Sequence, residues 1–451
     1  MTRSVKARWS ELSLLIIVLF ITLISAITVD IASDNPADRA LDTSSLYLPF
    51  IFAVMVLATH FALCFLTPNA DQIIFPTVAF LNGIGLVMIH RLDLALGRDL
   101  AEKQVMWTGL ALFACVVALI MLQDHRVLTR FSYLLGAFGL ILLASPLFSP
   151  QPVESDANIW LMIGPFSIQP GEIAKVLLVI FFAMLISQKR ALFAVAENRF
   201  LGMGFPRLRD LAPIAFIGAF ALVIMALTND FGPALLLFLT VFGMVYVATS
   251  RLSWLLIGTA ALLAGGTLLA QFSTKIQQRI ANARDPLADF YNNGNQLSEA
   301  LFGLSTGGIT GSGLGQGYPQ NIALAFSDFI LAAVGEELGL IGLAAVLLAF
   351  TLLQCRFFIT AMHTRESFGK LLVTGLGIIL TVQVFVVTGG ISGLIPMTGL
   401  TTPFMSAGGS SLLANYLIIA LVLRISHSTR TSDSVFQVQK APRKPLLQPF
   451  P

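Results

Sequence analysis

Apolar residues in this chain fall in long unbroken runs separated by short polar connections, not in the alternating or one-faced patterns of elements that pack in water. A helix crossing the hydrocarbon core of a bilayer needs about 20 mostly apolar residues. Runs of that kind recur twelve times, near 12–29, 46–66, 72–90, 105–122, 131–148, 168–187, 211–227, 231–250, 252–271, 329–353, 371–389 and 410–426. A lipid-exposed segment satisfies its backbone hydrogen bonds only within itself, so each run is predicted to be a helix. The pattern predicts an all-α, polytopic membrane bundle.

Composition sharpens this. Of 451 residues, 56% are hydrophobic and 11% charged, and the mean hydropathy is +0.84, which excludes a single water-surrounded core. A formal charge of +3, with no basic run interleaved with aromatics, excludes a nucleic-acid partner. Cys64, Cys115 and Cys355 lack metal-ligand or disulfide spacing. His60, His90, His125, His363 and His427 show no clustering. The first run follows Arg3, Lys6 and Arg8 and is read as a retained span, with cleavage near the small residues Ser25 and Ala26 as the alternative.

Basic loops are retained on the cytoplasmic side. With the N-terminus inside, most of the 27 Lys and Arg residues fall in cytoplasmic connections. Both termini are then cytoplasmic, and the acidic residues Asp30, Asp34, Asp38, Asp42, Glu154 and Asp156 are outside. Three regions are expected: residues 1–104, a cytoplasmic tail and three spans; 105–426, a membrane core with a large outer loop at 272–328; and 427–451, a disordered cytoplasmic tail. Loops as long as 272–328 are usually functional, and its glycines from Gly307 to Gly317 predict a tightly turning backbone.

Ionisable residues inside spans are costly, so each is a candidate site. Glu172 and Lys175 share a helical face at the start of the sixth span, as an ion pair or as part of a site. Asp230 precedes the eighth span and Asp328 the tenth, where helix capping competes with chemistry. Glu336 and Glu337, adjacent in the tenth span, demand a polar interior or partners. The segment from Gly389 to Ser411, rich in Gly, Pro, Ser and Thr, is expected to line a cavity, because non-helical backbone at this depth needs protein or water around it.

Five stretches carry a resemblance: QPGEIAK (169–175), NDFGPA (229–234), Gln296 with STGGITGSGLGQG (305–317), SDFILAAVGEELGLIG (327–342) and LIPMTGLTTPFMSAGGSSLLAN (394–415). In this order they resemble the SEDS family of RodA, FtsW and SpoVE, and the two spans preceding the family's usual ten resemble an actinobacterial RodA-type extension. The resemblance implies a peptidoglycan glycosyltransferase that polymerises lipid II at the outer face of the plasma membrane during elongation, beside a class B penicillin-binding protein. A lipid II flippase, a division-specific FtsW-like polymerase and a non-catalytic scaffold are the alternatives. It further implies Asp328 as general base, with Glu172 and Lys175 in the catalytic cavity. Arg279, Gln296, Asp230, Ser406, Glu336 and Glu337 are the implied substrate-binding residues, and a divalent cation, Mg or Mn, is a candidate cofactor. The chain departs from the family in having Phe326-Ser327 for His-Thr, Gly171 for Ser, Ala407 for Tyr and Val387 near a usual Asn.

Overall fold

The computed structural model describes residues 8–32, 46–150, 157–163, 166–194, 198–200, 203–205, 208–292 and 294–440. Arg3, Lys6, Asp34, Asp38, Asp42, Glu154, Asp156 and the last residues of the tail lie outside these. Each apolar run forms a helix, and several helices continue past the ends of their runs. They are α1 (Trp9–Ile31), α2 (Tyr47–Leu66), α3 (Ile74–Leu96), α4 (Leu100–Met121), α5 (Val127–Ala144), α6 (Pro170–Ala194), α7 (Leu208–Leu227), α8 (Phe231–Thr249) and α9 (Ser253–Phe272). Two more helices, α10 (Thr274–Arg284) and α11 (Asn295–Gly307), precede α12 (Ile330–His363), α13 (Ser367–Ile391) and α14 (Gly409–Lys440). Among the described residues, eleven helices are long and apolar enough to cross a membrane, and α7 adds a shorter apolar stretch, Ile214–Leu227. The protein is a multi-pass membrane protein.

The large loop is where the sequence reading needs correction, because much of it is helical: α10 and α11 lie within 272–328. Two small antiparallel hairpins, β1 (Leu161–Ile163) with β2 (Phe166–Ile168) and β3 (Asn198–Phe200) with β4 (Met203–Phe205), were likewise not expected.

The interior is built from α3, α6, α13 and α14; the most apolar stretch of α14 is 83% buried, against 6% for α9. Helix α9 packs on α8 and continues through Ser273 into α10. Helix α1 is tied down at both ends. Buried Arg8 pairs with Glu11 and donates to the Thr67 carbonyl at 2.5 Å, while Glu11 Oε1 meets His60 Nδ1 of α2 at 2.7 Å. At its other end Asp30 Oδ1 lies 2.9 Å from His90 Nε2 of α3. At the end of the bundle remote from α10 and α11, Asp71 accepts from Arg356 Nε at 2.8 Å and Arg430 Nη2 at 2.6 Å, joining the start of α3 to α12 and α14.

Helix α12 is broken. Gly339 has φ +67°, ψ −169°, a conformation foreign to L side chains. The backbone groups released there are recovered by the glycine-rich segment. Leu340 and Ile341 N–H donate to the Gly308 and Ile309 carbonyls at 2.9 and 3.1 Å, and Ser312 and Gly313 N–H donate to the Glu336 and Glu337 carbonyls at 3.0 and 2.9 Å. A Cβ on Gly339 would lie 2.3 Å from Gly311 N, so the contact requires glycine. The first two turns of α12 are thereby fused to the loop preceding them.

Candidate functional site

At the end of the bundle carrying α10 and α11, a cavity of about 780 Å³ opens between α4, α10, the start of α12 and the 397–411 segment. Helix α10 presents Lys275, Gln278, Arg279 and Asn282 to it, the i, i+3, i+4, i+7 face of one helix. Helix α4 presents Leu100, Lys103, Gln104 and Trp107 at the same spacing. Among the described residues, Asp328 is the one carboxylate in the lining.

The strand of chain holding Asp328 is pinned on both sides. Ala407 N–H donates to the Phe326 carbonyl at 2.8 Å, and Ser406 Oγ donates to the Ser327 carbonyl at 2.6 Å while accepting from Thr402 N–H at 2.8 Å. Gln104 Nε2 holds the Ser406 carbonyl at 3.1 Å. Ser406 is buried and positions the loop; it does not line the cavity.

Asp328 Oδ1 accepts from Ser327 Oγ at 2.8 Å. Among the described residues Oδ2 accepts no hydrogen bond, and it faces Gly399: a Cβ there would stand 3.6 Å from Oδ2 and 3.4 Å from Arg279 Nη2. Arg279 Nη1 donates to the Thr398 carbonyl at 3.1 Å. Carboxylate and guanidinium thus flank one glycine, with a carboxylate oxygen available to a ligand. Burial pushes the Asp328 carboxyl above its usual range, against the pull of the Ser327 hydrogen bond and the Arg279 charge. It is not a cap, since α12 begins without a side-chain capping bond.

Asp230 also occupies a helix start without capping it. Its carboxyl is pushed up to about 7, first by burial and then by Glu172, against Lys275, Lys175 and Arg279. Behind the cavity wall, Glu172 Oε2 and Lys175 Nζ pair at 2.7 Å, both buried. Lys175 donates to Gln383 Oε1 at 3.2 Å, and Gln383 Nε2 donates to the carbonyl of Thr401, a lining residue, at 2.8 Å. The pair therefore sits one amide away from the cavity.

The structure brings Asp328, Arg279 and Gln296 together in the lining and places Glu172, Lys175, Asp230 and Ser406 behind it. Glu336 and Glu337 are not in it, and the expectation that they bind substrate meets a different arrangement. Glu337 Oε1 accepts from Arg91 Nε at 2.9 Å and its Oε2 from Gly315 N–H at 3.1 Å; Glu336 Oε1 accepts from Tyr318 N–H at 2.7 Å. Arg91 Nη2 also donates to the Gly317 carbonyl at 2.8 Å. These carboxylates hold the glycine-rich segment against α12. Lys103, Trp107, Trp160, Lys275, Gln278 and Asn282 were missed; the amphipathic spacing within 274–284 was the available signal for three of them. Among the described residues no three His, Cys, Asp or Glu side chains gather as a metal site.

Comparison with known proteins agrees with this architecture. The family model described as cell cycle protein, FtsW/RodA/SpoVE, matches residues 72–431, from the start of α3 onward. The chain is 44% identical over 434 residues to the peptidoglycan glycosyltransferase RodA of Mycobacterium tuberculosis, covering 94% of this chain and 91% of that protein. It is 33% identical over 381 residues to the probable peptidoglycan glycosyltransferase FtsW of Nitrosococcus halophilus, covering 81% and 94%. A chain from a solved structure concerned with polymerization and crosslinking by a peptidoglycan synthase complex superposes with a TM-score of 0.64 at 25% identity, covering 80% and 98%. Sequence and fold together establish that this chain belongs to the FtsW/RodA/SpoVE family.

Proposed function

We propose that this protein is a RodA-type peptidoglycan glycosyltransferase that polymerises lipid II, in a synthase complex with a class B penicillin-binding protein that serves cell elongation. The observation that carries the reading is a cavity in which Asp328, the one carboxylate among the described lining residues, keeps an oxygen turned toward Gly399 with Arg279 on the other side. The basic connections put both termini in the cytoplasm and this cavity at the outer face of the plasma membrane.

In the reaction the 4-hydroxyl oxygen of an acceptor GlcNAc bonds to C1 of the donor MurNAc, and the bond from C1 to the diphosphate oxygen breaks. The hydroxyl proton passes to Asp328, and the bonding electrons leave with the lipid diphosphate. A carboxyl raised above its usual range is a better proton acceptor than an ordinary one. Arg279 and Lys275, one turn apart on α10, receive the charge that develops on the diphosphate. Asp230, Glu172 and Lys175 set the electrostatic potential behind that wall. A divalent cation of the Mg or Mn type fits here as part of the substrate. Asp328 is the one carboxylate among the described lining residues that would hold it, and the chemistry it would supply is charge neutralisation on the diphosphate.

The test is polymerisation of purified lipid II by the complex in proteoliposomes, comparing the wild type with Asp328→Ala at equal folded amounts. Polymer from the wild type alone is the expected result. Equal polymer from both removes Asp328 as the base. No polymer from either, with lipid II translocated by both, makes the flippase reading the better one; neither activity, with the partner still bound, leaves the scaffold.

A further inference from the structure

The transferase uses two substrates that each carry a diphosphate, and its cavity holds two separated basic positions. Lys275 and Arg279 lie on α10, and Arg279 flanks Gly399 opposite Asp328. Lys103 lies on α4, which packs on α2, α3 and α14, whereas α10 packs on α9, so the two stripes reach the cavity from different parts of the bundle. Lys103 is exposed, and among the described residues it has no ion-pair partner. Its neighbours on the same face are otherwise engaged. Gln104 holds the Ser406 carbonyl, and the Trp107 indole lies flat against Gly409, where a Cβ would come within 2.1 Å of Cδ2.

The chemistry allots the two positions. The donor's diphosphate leaves from the carbon being attacked, so it lies beside the base, within reach of Arg279 and Lys275. The acceptor presents its GlcNAc hydroxyl to that same base, and its own diphosphate is joined to the far end of the disaccharide. It therefore needs a cation away from Asp328, on another wall. We propose that Lys103 binds the diphosphate of the acceptor lipid, with Trp107, backed by Gly409, as the apolar wall for the first units of its isoprenoid chain. This rests on the glycosyltransferase reading of the cavity. Lys103 takes no part in bond making; it fixes how far the acceptor enters.

The probe is undecaprenyl diphosphate, counted per complex by native mass spectrometry in nanodiscs, with phosphatidylglycerol as the lipid control. Wild type is expected to hold two, Lys103→Gln one and Lys103→Arg two, while Lys275→Gln with Arg279→Gln also holds one. In polymerisation assays Lys103→Gln should raise KM for lipid II roughly 10-fold, the loss of one charge-assisted hydrogen bond, with kcat changed less than about 3-fold. A count of two in Lys103→Gln, or of one in wild type, overturns the assignment. So does a fall in kcat at constant KM. A wild type that makes no polymer yet counts two, falling to one in Lys103→Gln, overturns the transferase reading and retains Lys103 as a diphosphate-lipid site.

Discussion

Two sets of carboxylates stand at the head of α12, about two and a half turns apart, and their surroundings differ in kind. Glu336 and Glu337 are buried, and their oxygens meet Arg91 and the backbone of the glycine-rich segment. Asp328 has one oxygen bound to its neighbour Ser327 and the other facing a cavity beside a guanidinium. A carboxylate surrounded by donors is held by the fold and holds it in return. A carboxylate with an oxygen left to a cavity keeps the capacity to take a proton, and at Asp328 burial raises the carboxyl above its usual range. The family resemblance implied a general base at Asp328 and substrate binding at Glu336 and Glu337; the geometry turns an oxygen of the first toward the cavity and keeps the other two out of its lining.

The comparison is broken most severely at Asp328. Asp328→Asn should lower polymerisation by roughly 10²- to 10⁴-fold with the melting temperature in detergent unchanged, and a parallel fall in melting temperature would put Asp328 with the structural pair. Glu337→Gln should do the reverse. It leaves Arg91 buried against a neutral partner and should destabilise by up to about 3–5 kcal/mol, read as a lowered melting temperature, with activity per folded molecule retained.

How much of this was legible follows from particular residues. The twelve runs were readable because lipid demands uninterrupted apolar length. The site was readable only in part. Arg279 and Lys275 both stood out as charges in a long loop, but that they share one face with Gln278 and Asn282 follows only once α10 is a helix. Glu336 and Glu337 were conspicuous for the right physical reason, cost in a membrane, but sequence does not show that Arg91, 246 positions from Glu337, meets it. The Asp230 and Asp328 side chains at helix starts looked like caps, and the structure shows neither capping.

Smaller effects sharpen the contrast. Gly339→Ala imposes a Cβ on a positive φ against Gly311 N and should cost about 1–3 kcal/mol, measured as a shift in thermal unfolding. Arg279→Gln should weaken diphosphate-lipid binding by about 1.5–3 kcal/mol, seen as a raised KM without loss of fold; an unchanged KM would remove Arg279 from the substrate. The last effect, at Asp230, is read through pH. Its folded carboxyl lies near 7, above the ordinary 3.8, so the folded state binds the proton more tightly than the unfolded one, and stability falls as pH rises from about 4 through 7. Asp230→Asn should flatten that slope in melting temperatures recorded from pH 5 to 8; an unaltered slope would assign it elsewhere.

The 6% burial of α9 bears on the basic wall of the cavity. Helix α10 grows directly out of α9, so Lys275 and Arg279 are carried by a rod that the rest of the chain covers little. The wall bearing Lys103 belongs to a helix packed on α2, α3 and α14, while the facing wall rests on α9 and, through Arg279, on the Thr398 carbonyl. The width of the cavity is therefore tied to whatever covers the outer face of α9, and a change in that cover bears on one wall of the site without touching a residue of it.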